Sequence, residues 1–227
     1  MTKAQIRERL LKLCDSRLPL ESCKPFSDKD LVPDLINFIA SFPSFSSKLF
    51  DIHGNVTFLG SRLGRGEVLL YFIYDNLTLG GSTSSIDCFV DEKPSFEIKC
   101  AKKDGDGYSD VLLGIDEVES SLTYFYKILK LFDKARQSGK LPIPSNFVNI
   151  SKTKLQALSE IYPVTKKLEE EYFVDLLNSP IGNKKFLIFD KQTRLPVFYG
   201  YLKRKNLKID RVSGGLVRLS FIFENHD

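Results

Sequence analysis

No stretch of this 227-residue chain is apolar enough to span a bilayer. The longest run, Val68 to Tyr74, falls far short of the ~18 residues required. The opening residues, MTKAQIRERLLKLCDSR, are charged and amphipathic and hold no apolar signal core. The expected location is therefore the cytoplasm, or a particle assembled there. The four cysteines, Cys14, Cys23, Cys88 and Cys100, form no CxxC pair, which argues against structural zinc and for free, buried thiols. Only two histidines occur, His53 and His226, so a histidine-based catalytic triad has little support. Internal repeats and low-complexity tracts are absent.

What is present is an ordinary globular composition, 42% hydrophobic and 27% charged, with a mild net charge of +4. That charge permits nucleic-acid binding without demanding it. Basic residues cluster in KCAKK (99–103), DKQTR (190–194) and KRKNLK (203–208). Each cluster taken singly has a bland explanation, a solvated face.

Hydrophobic spacing predicts a helix over residues 3–14, with Ile6, Leu10, Leu11 and Leu13 toward one side. A second helix is expected in SDKDLVPDLINFIASF, capped by Ser27 or Asp28, presenting Leu31, Leu35, Phe38 and Ile39, and ended by FPSFSS. Residues 1–54 thus read as a helical extension and 55–227 as the main domain. In the latter, a glycine-punctuated approach leads into the apolar helix that begins near Glu67. After GGSTSS, the segments SIDCFV (85–90) and SFEIKCA (95–101) read as a β-hairpin closed by DEKP. DGDGYSD is expected to be a loop and VLLGI a buried strand. The following helix is expected to bury Val118, Leu122, Phe125, Leu129 and Phe132. After the linker SGKLPIPSN, a helical stretch (152–178) is broken by Pro163. Strands then follow in KFLIFD, LPVFYGYL, LKIDRV and LVRLSFIF. The fold class is mixed α/β around one central sheet.

Side chains alternate along a strand, so Glu97 and Lys99 share one face while Phe96, Ile98 and Cys100 share the other. With Asp87 on the partner strand, two carboxylates and a lysine would converge. That is poor for stability and good for a hard divalent cation, which takes carboxylate, water and phosphate oxygens. Glu67 would complete the acidic cluster. Ordinary alternatives exist for each residue: a surface Glu97–Lys99 ion pair, Asp87 capping a turn, Glu67 in the first turn of a helix. Asp91, Asp104, Asp106 and Asp110 read as loop acids.

The ordered set GRGE, ID and FEIK resembles the PD-(D/E)xK nuclease superfamily. The resemblance covers about residues 60–138; no proline precedes Asp87, which follows Ile86. It implies a restriction-endonuclease-like αβββαβ core with a mixed central sheet, flanked by the N-terminal helices and a β-rich C-terminal segment. It further implies Glu67 as the helix acid, Asp87 and Glu97 as metal ligands with the backbone carbonyl of Ile98, and Lys99 as the catalytic lysine. Glu67 would support a second ion. The cofactor implied is Mg²⁺ or Mn²⁺, and the activity is metal-dependent cleavage of DNA phosphodiesters. GRGE before an apolar helix also resembles nucleases of tailed bacteriophages, which would place the protein in the host cytoplasm or the virion. Arg65, Lys102, Lys103, Lys203, Arg204 and Lys205 would contact the DNA backbone, giving affinity without sequence readout. The rival expectation is a non-catalytic structural or DNA-binding component on a nuclease-like fold, docked to a protein partner through its N-terminal helices.

Overall fold

The computed structural model describes residues 2–15, 24–52, 63–80, 87–105, 107–112, 119–141 and 149–222, with side chains of 110, 111, 112, 119, 120 and 121 excepted. His53, His226, Cys23, Ile86, Asp106 and Val118, and the expected boundary between residues 54 and 55, lie outside the described residues or their side chains. The chain is mixed α/β, with seven α-helices and mostly antiparallel strands among the described residues. None of these helices is long and apolar enough to cross a membrane. The chain falls into two compact units: residues 1–101 with 185–200, and residues 102–184 with 201–227.

The first unit opens with α1 (Lys3–Leu13), started by a capping box in which Thr2 and Gln5 satisfy each other's backbone N–H. Ile6, Leu10 and Leu11 are buried as expected, but Leu13 is 60% exposed and Cys14 takes its place in the core. α2 (Leu31–Ser41) buries Leu31, Leu35 and Phe38 and leaves Ile39 half-buried. Neither Ser27 nor Asp28 caps it: the Ser27 hydroxyl donates to Asp30, and Asp28 bonds Lys185 and Tyr199. FPSFSS does more than end α2. Pro43 opens α3 (Pro43–Asp51), because proline at the first helical position forfeits only an N–H that has no helical partner.

α4 (Glu67–Ile73) is buried along its whole length. Each large apolar side chain it buries stabilises by about 1.5–3 kcal/mol relative to exposure, so this short helix is held by packing, not propensity. The sheet of this unit runs β1 (Leu77–Leu79), β2 (Cys88–Val90), β3 (Lys93–Asp104), β6 (Lys185–Asp190), β7 (Pro196–Tyr201). β1 to β3 form an antiparallel meander and β3 pairs β6 in parallel. The short β1 carries too little pattern to be read from sequence. The core joins α1–α4 to Phe96, Ile98, Leu187 and Phe189 of this sheet.

In the second unit, the end of β3 pairs with β4 (Gly107–Leu112), then β9 (Leu216–Phe221), β8 (Leu207–Ser213) and β5 (Asn149–Ser151) follow in spatial order. Hence DGDGYSD is not a loop. Asp104 ends β3, Gly105 turns and Asp110 lies in β4, because β9 supplies a ladder for residues that lack strand propensity of their own. VLLGI begins as the end of β4, and its last three residues are not described. α5 (Glu119–Gln137) buries Tyr124, Ile128, Phe132 and Ala135, while Leu122 is 46% exposed and Phe125 and Leu129 are half-buried. The apolar stripe was expected on the wrong side: two candidate stripes overlap at Phe132, and Tyr124 reads as polar. α6 (Lys152–Ile161) and α7 (Val164–Asn178) are separated at Pro163 as expected.

Candidate functional site

Everything that places the acidic residues lies in the first unit. β2 and β3 are joined by Asp91 and Glu92 alone, both at positive φ (49° and 64°), a two-residue turn suited to strand twist; Lys93 and Pro94 already belong to β3. Such a turn by itself would set Asp87 opposite Phe96 and aim it at the core. A bulge intervenes. Phe89 pairs with Pro94 but Cys88 pairs with Phe96, so Ser95 is the extra residue, and the register carried one residue beyond β2 sets Asp87 opposite Glu97. A one-residue slip exchanges the faces of a strand, and here it brings both carboxylates to the same side. Sequence reading missed Ser95. The available signal was Pro94, since proline inside a strand marks an edge or a bulge.

The resulting geometry is close. Lys99 Nζ donates to Glu97 Oε1 at 2.6 Å and stands 3.8 Å from Asp87 Oδ2. Asp87 Oδ2 also accepts the Ile98 N–H at 2.7 Å. Burial disfavours the Lys99 ammonium, but Asp87 and Glu97 outweigh it and the pKa is raised, so the group stays charged.

Glu67 arrives from the N-terminus of α4, only 7% exposed. Its Oε1 accepts the Gly64 N–H at 2.6 Å, and a Cβ on Gly64 would collide with that carboxylate. Gly66 caps the helix at φ 85°, against the rings of Phe189 and Phe50. The two glycines are thus the means by which a carboxylate enters a buried helix. Burial pushes the Glu67 pKa up to about 7, Asp87 and then Glu97 add to the rise, and Gly64 and Lys99 oppose it. Among the described residues, three carboxylates here share one ammonium.

Among the described residues, no group of three or more His, Cys, Asp or Glu side chains is close enough to cage a metal ion. The donor set at Asp87 and Glu97 is of another kind: two carboxylates, both offering hard oxygens. It suits a magnesium-type ion that keeps several waters. Burial is the larger cause of the Glu67 rise, and the charges of Asp87 and Glu97 add to it; that added charge is what a cation would relieve.

The expected DNA contacts sort differently. Arg65 is half-buried beside α4, and its carbonyl oxygen accepts the Cys100 thiol at 3.7 Å. Burial raises that thiol to about 11, so it is inert; Cys14 and Cys88 are buried and free, as expected. Lys102 and Lys103 are exposed at the end of β3, and Lys203 and Lys205 are exposed around a short 3₁₀ turn (Arg204–Asn206). Arg204 donates in a fork to Glu170, with Nε–Oε2 at 2.9 Å, and to the Leu207 carbonyl at 2.9 Å. DKQTR is the β6–β7 turn: Asp190 accepts two of its N–H groups and Arg194 bonds Asp51. Comparisons with protein-family models, with curated proteins and with solved structures find no match to this chain.

Proposed function

We propose that the protein is a divalent-metal-dependent DNA nuclease of the PD-(D/E)xK type. The observation that carries the reading is the Ser95 bulge, which sets Asp87 opposite Glu97 beside Lys99. The element order gives it support: α4, β1, β2 and β3, then a crossover to β6, parallel and adjacent to β3.

Asp87, Glu97 and the Ile98 carbonyl would hold Mg²⁺ or Mn²⁺. Such an ion, when bound, supplies a lowered pKa for water and stabilisation of charge on the phosphoryl oxygens. Lys99 stays protonated, so its part is to donate to the attacking water or the charged phosphate, not to abstract a proton. Engagement of the carboxylates would release the ammonium from Glu97 toward substrate. Glu67, held by Gly64, would orient ligands or support a second ion.

The direct test incubates the purified protein with plasmid and oligonucleotide DNA in magnesium, in manganese and in chelator. Cleavage restricted to the two metals is the expected outcome. Undiminished cutting in excess chelator would remove the metal mechanism.

A further inference from the structure

The acidic cluster of the first unit already holds a cation, the ammonium of its own Lys99. Nζ lies 2.6 Å from Glu97 Oε1 and 3.8 Å from Asp87 Oδ2, within ion-pair reach of both carboxylates that would take the metal. The three side chains are only 13% to 26% exposed, so bulk salt screens their charges poorly. Two further donors to the cluster are of a different kind. The Gly64 N–H on Glu67 and the Ile98 N–H on Asp87 belong to the backbone and stay where the fold puts them. The ammonium stands on a flexible four-carbon stem and can leave.

A divalent ion and this ammonium are poor neighbours. Magnesium-type ions take carboxylate oxygens at about 2.0–2.1 Å. With Nζ left in place on Glu97 Oε1, an ion on the same oxygen would stand no farther than about 4.7 Å from it, whatever the angle between them. Even in the dielectric of water, a double and a single positive charge at that distance repel enough to cost about a factor of ten in affinity. Metal entry therefore favours departure of the ammonium, and the ion must displace a cation that the carboxylates already hold.

We infer that Lys99 is a resident counter-cation that competes with the divalent ion and keeps the metal affinity of the free protein low. The device regulates the site. The group that neutralises the carboxylates at rest is the one set free for a phosphate once metal has taken them over. The inference rests on the nuclease reading for its metal, but its tests read binding and not cleavage. Mn²⁺ binding to the full chain, without DNA, is measured by electron paramagnetic resonance of the free ion. Lys99→Gln keeps an amide donor for Glu97 and loses the charge; it should bind Mn²⁺ at least about tenfold more tightly than the wild type. Lys99→Arg keeps the charge and should bind no more tightly than the wild type. Lys93→Gln removes an exposed lysine at the start of the same strand, and should leave the affinity within about threefold. The wild type gives a second reading. Trace acetylation followed by mass spectrometry should modify Lys99, relative to Lys93, faster in saturating Mn²⁺ than in chelator.

Equal Mn²⁺ affinity in the wild type and Lys99→Gln would overturn the inference. So would an equal gain in Lys99→Arg or Lys93→Gln, or Lys99 acetylation that ignores bound Mn²⁺. In each of those results the wild type still binds the ion, and the nuclease reading stands without this refinement. A Lys99→Gln chain that folds only when Mn²⁺ is present would support the inference, since the metal then replaces the ammonium. If that variant folds in neither condition, acetylation of the wild type decides. Failure of every form to bind Mn²⁺ would sink the metal-dependent reading and this inference with it.

Discussion

The two units solve the same electrostatic problem in opposite ways. In the second, a run of acids on α7 is paired off: the hydrogen bonds of Arg204 lower the Glu170 pKa, and its charge tempers the burial that raises Glu169. In the first, Glu67, Asp87 and Glu97 are gathered around a single lysine, and one of them is pushed to about 7. A fold selected for stability alone distributes its anions as the second unit does. Leaving three carboxylates on one ammonium sacrifices stability locally, and such violations concentrate where a site needs them.

The largest expected effects come from breaking the crowded side of this contrast. Lys99→Ala should slow single-turnover cleavage roughly 10²-fold or more, comparable to losing one preorganised electrostatic group, at saturating protein and metal. DNA affinity should change far less, and metal binding should survive; Glu97→Ala, by contrast, should weaken it. A folded Lys99→Ala variant that cuts at the wild-type rate would remove Lys99 from the mechanism. Deleting Ser95 is a backbone version of the same experiment. With the bulge gone, the two-residue turn sets Asp87 opposite Phe96 and the carboxylates part. Cleavage should fall at least as far as in Glu97→Ala, read beside a thermal melt. Full activity in the deletion would show that the register does not build the site.

The residue types of this cluster were legible because alternation along FEIK is short-range and unambiguous. What brings Asp87 to them was not. The expected closure through DEKP and the observed two-residue turn with a bulge use the same residues. Only packing of Phe96 and Ile98 against α4 chooses between them. The failures elsewhere have the same root. Gly107 to Leu112 reads as a loop until β9 pairs with it, and α5 carries enough apolar residues for two stripes, of which its neighbours bury one. Strands marked by their own β-branched and aromatic residues, such as KFLIFD, needed no such help.

A smaller effect should appear as stability in metal-free buffer. The folded-state pKa of Glu67, about 7, lies above its ordinary 4.5, so the folded protein binds the proton more tightly. Stability from this residue is then highest below about pH 4.5 and is lost as pH rises through 7, at roughly 1.4 kcal/mol per pH unit across that window. Glu67→Gln keeps an oxygen for the Gly64 N–H and abolishes the titration. Its melting temperature should exceed that of the wild type by about 5 °C more at pH 8 than at pH 5. A pH-independent difference would mean that Glu67 is not held in the crowded field described above.

The smallest effect belongs to the paired side. Arg204→Gln should cost only about 1 kcal/mol at pH 7, since Glu170 is largely exposed and its ion pair is screened by water. Part of that cost is charge: without the guanidinium, Glu169 and Glu170 both return toward higher pKa, so they hold protons that the wild-type fold releases. The folded pKa of Glu170 is depressed by Arg204, so its share is present above about pH 4.5 and vanishes as the pH falls through the folded value. The rest is packing on Phe173, which no proton alters. Urea unfolding at pH 7 and pH 4 separates the two: the destabilisation should shrink at the lower pH without disappearing. An equal loss at both would assign Arg204 to packing alone and erase the contrast between the units. Single-turnover cleavage at saturating protein should be unchanged, because Arg204 is none of the four residues of the cluster, Glu67, Asp87, Glu97 and Lys99.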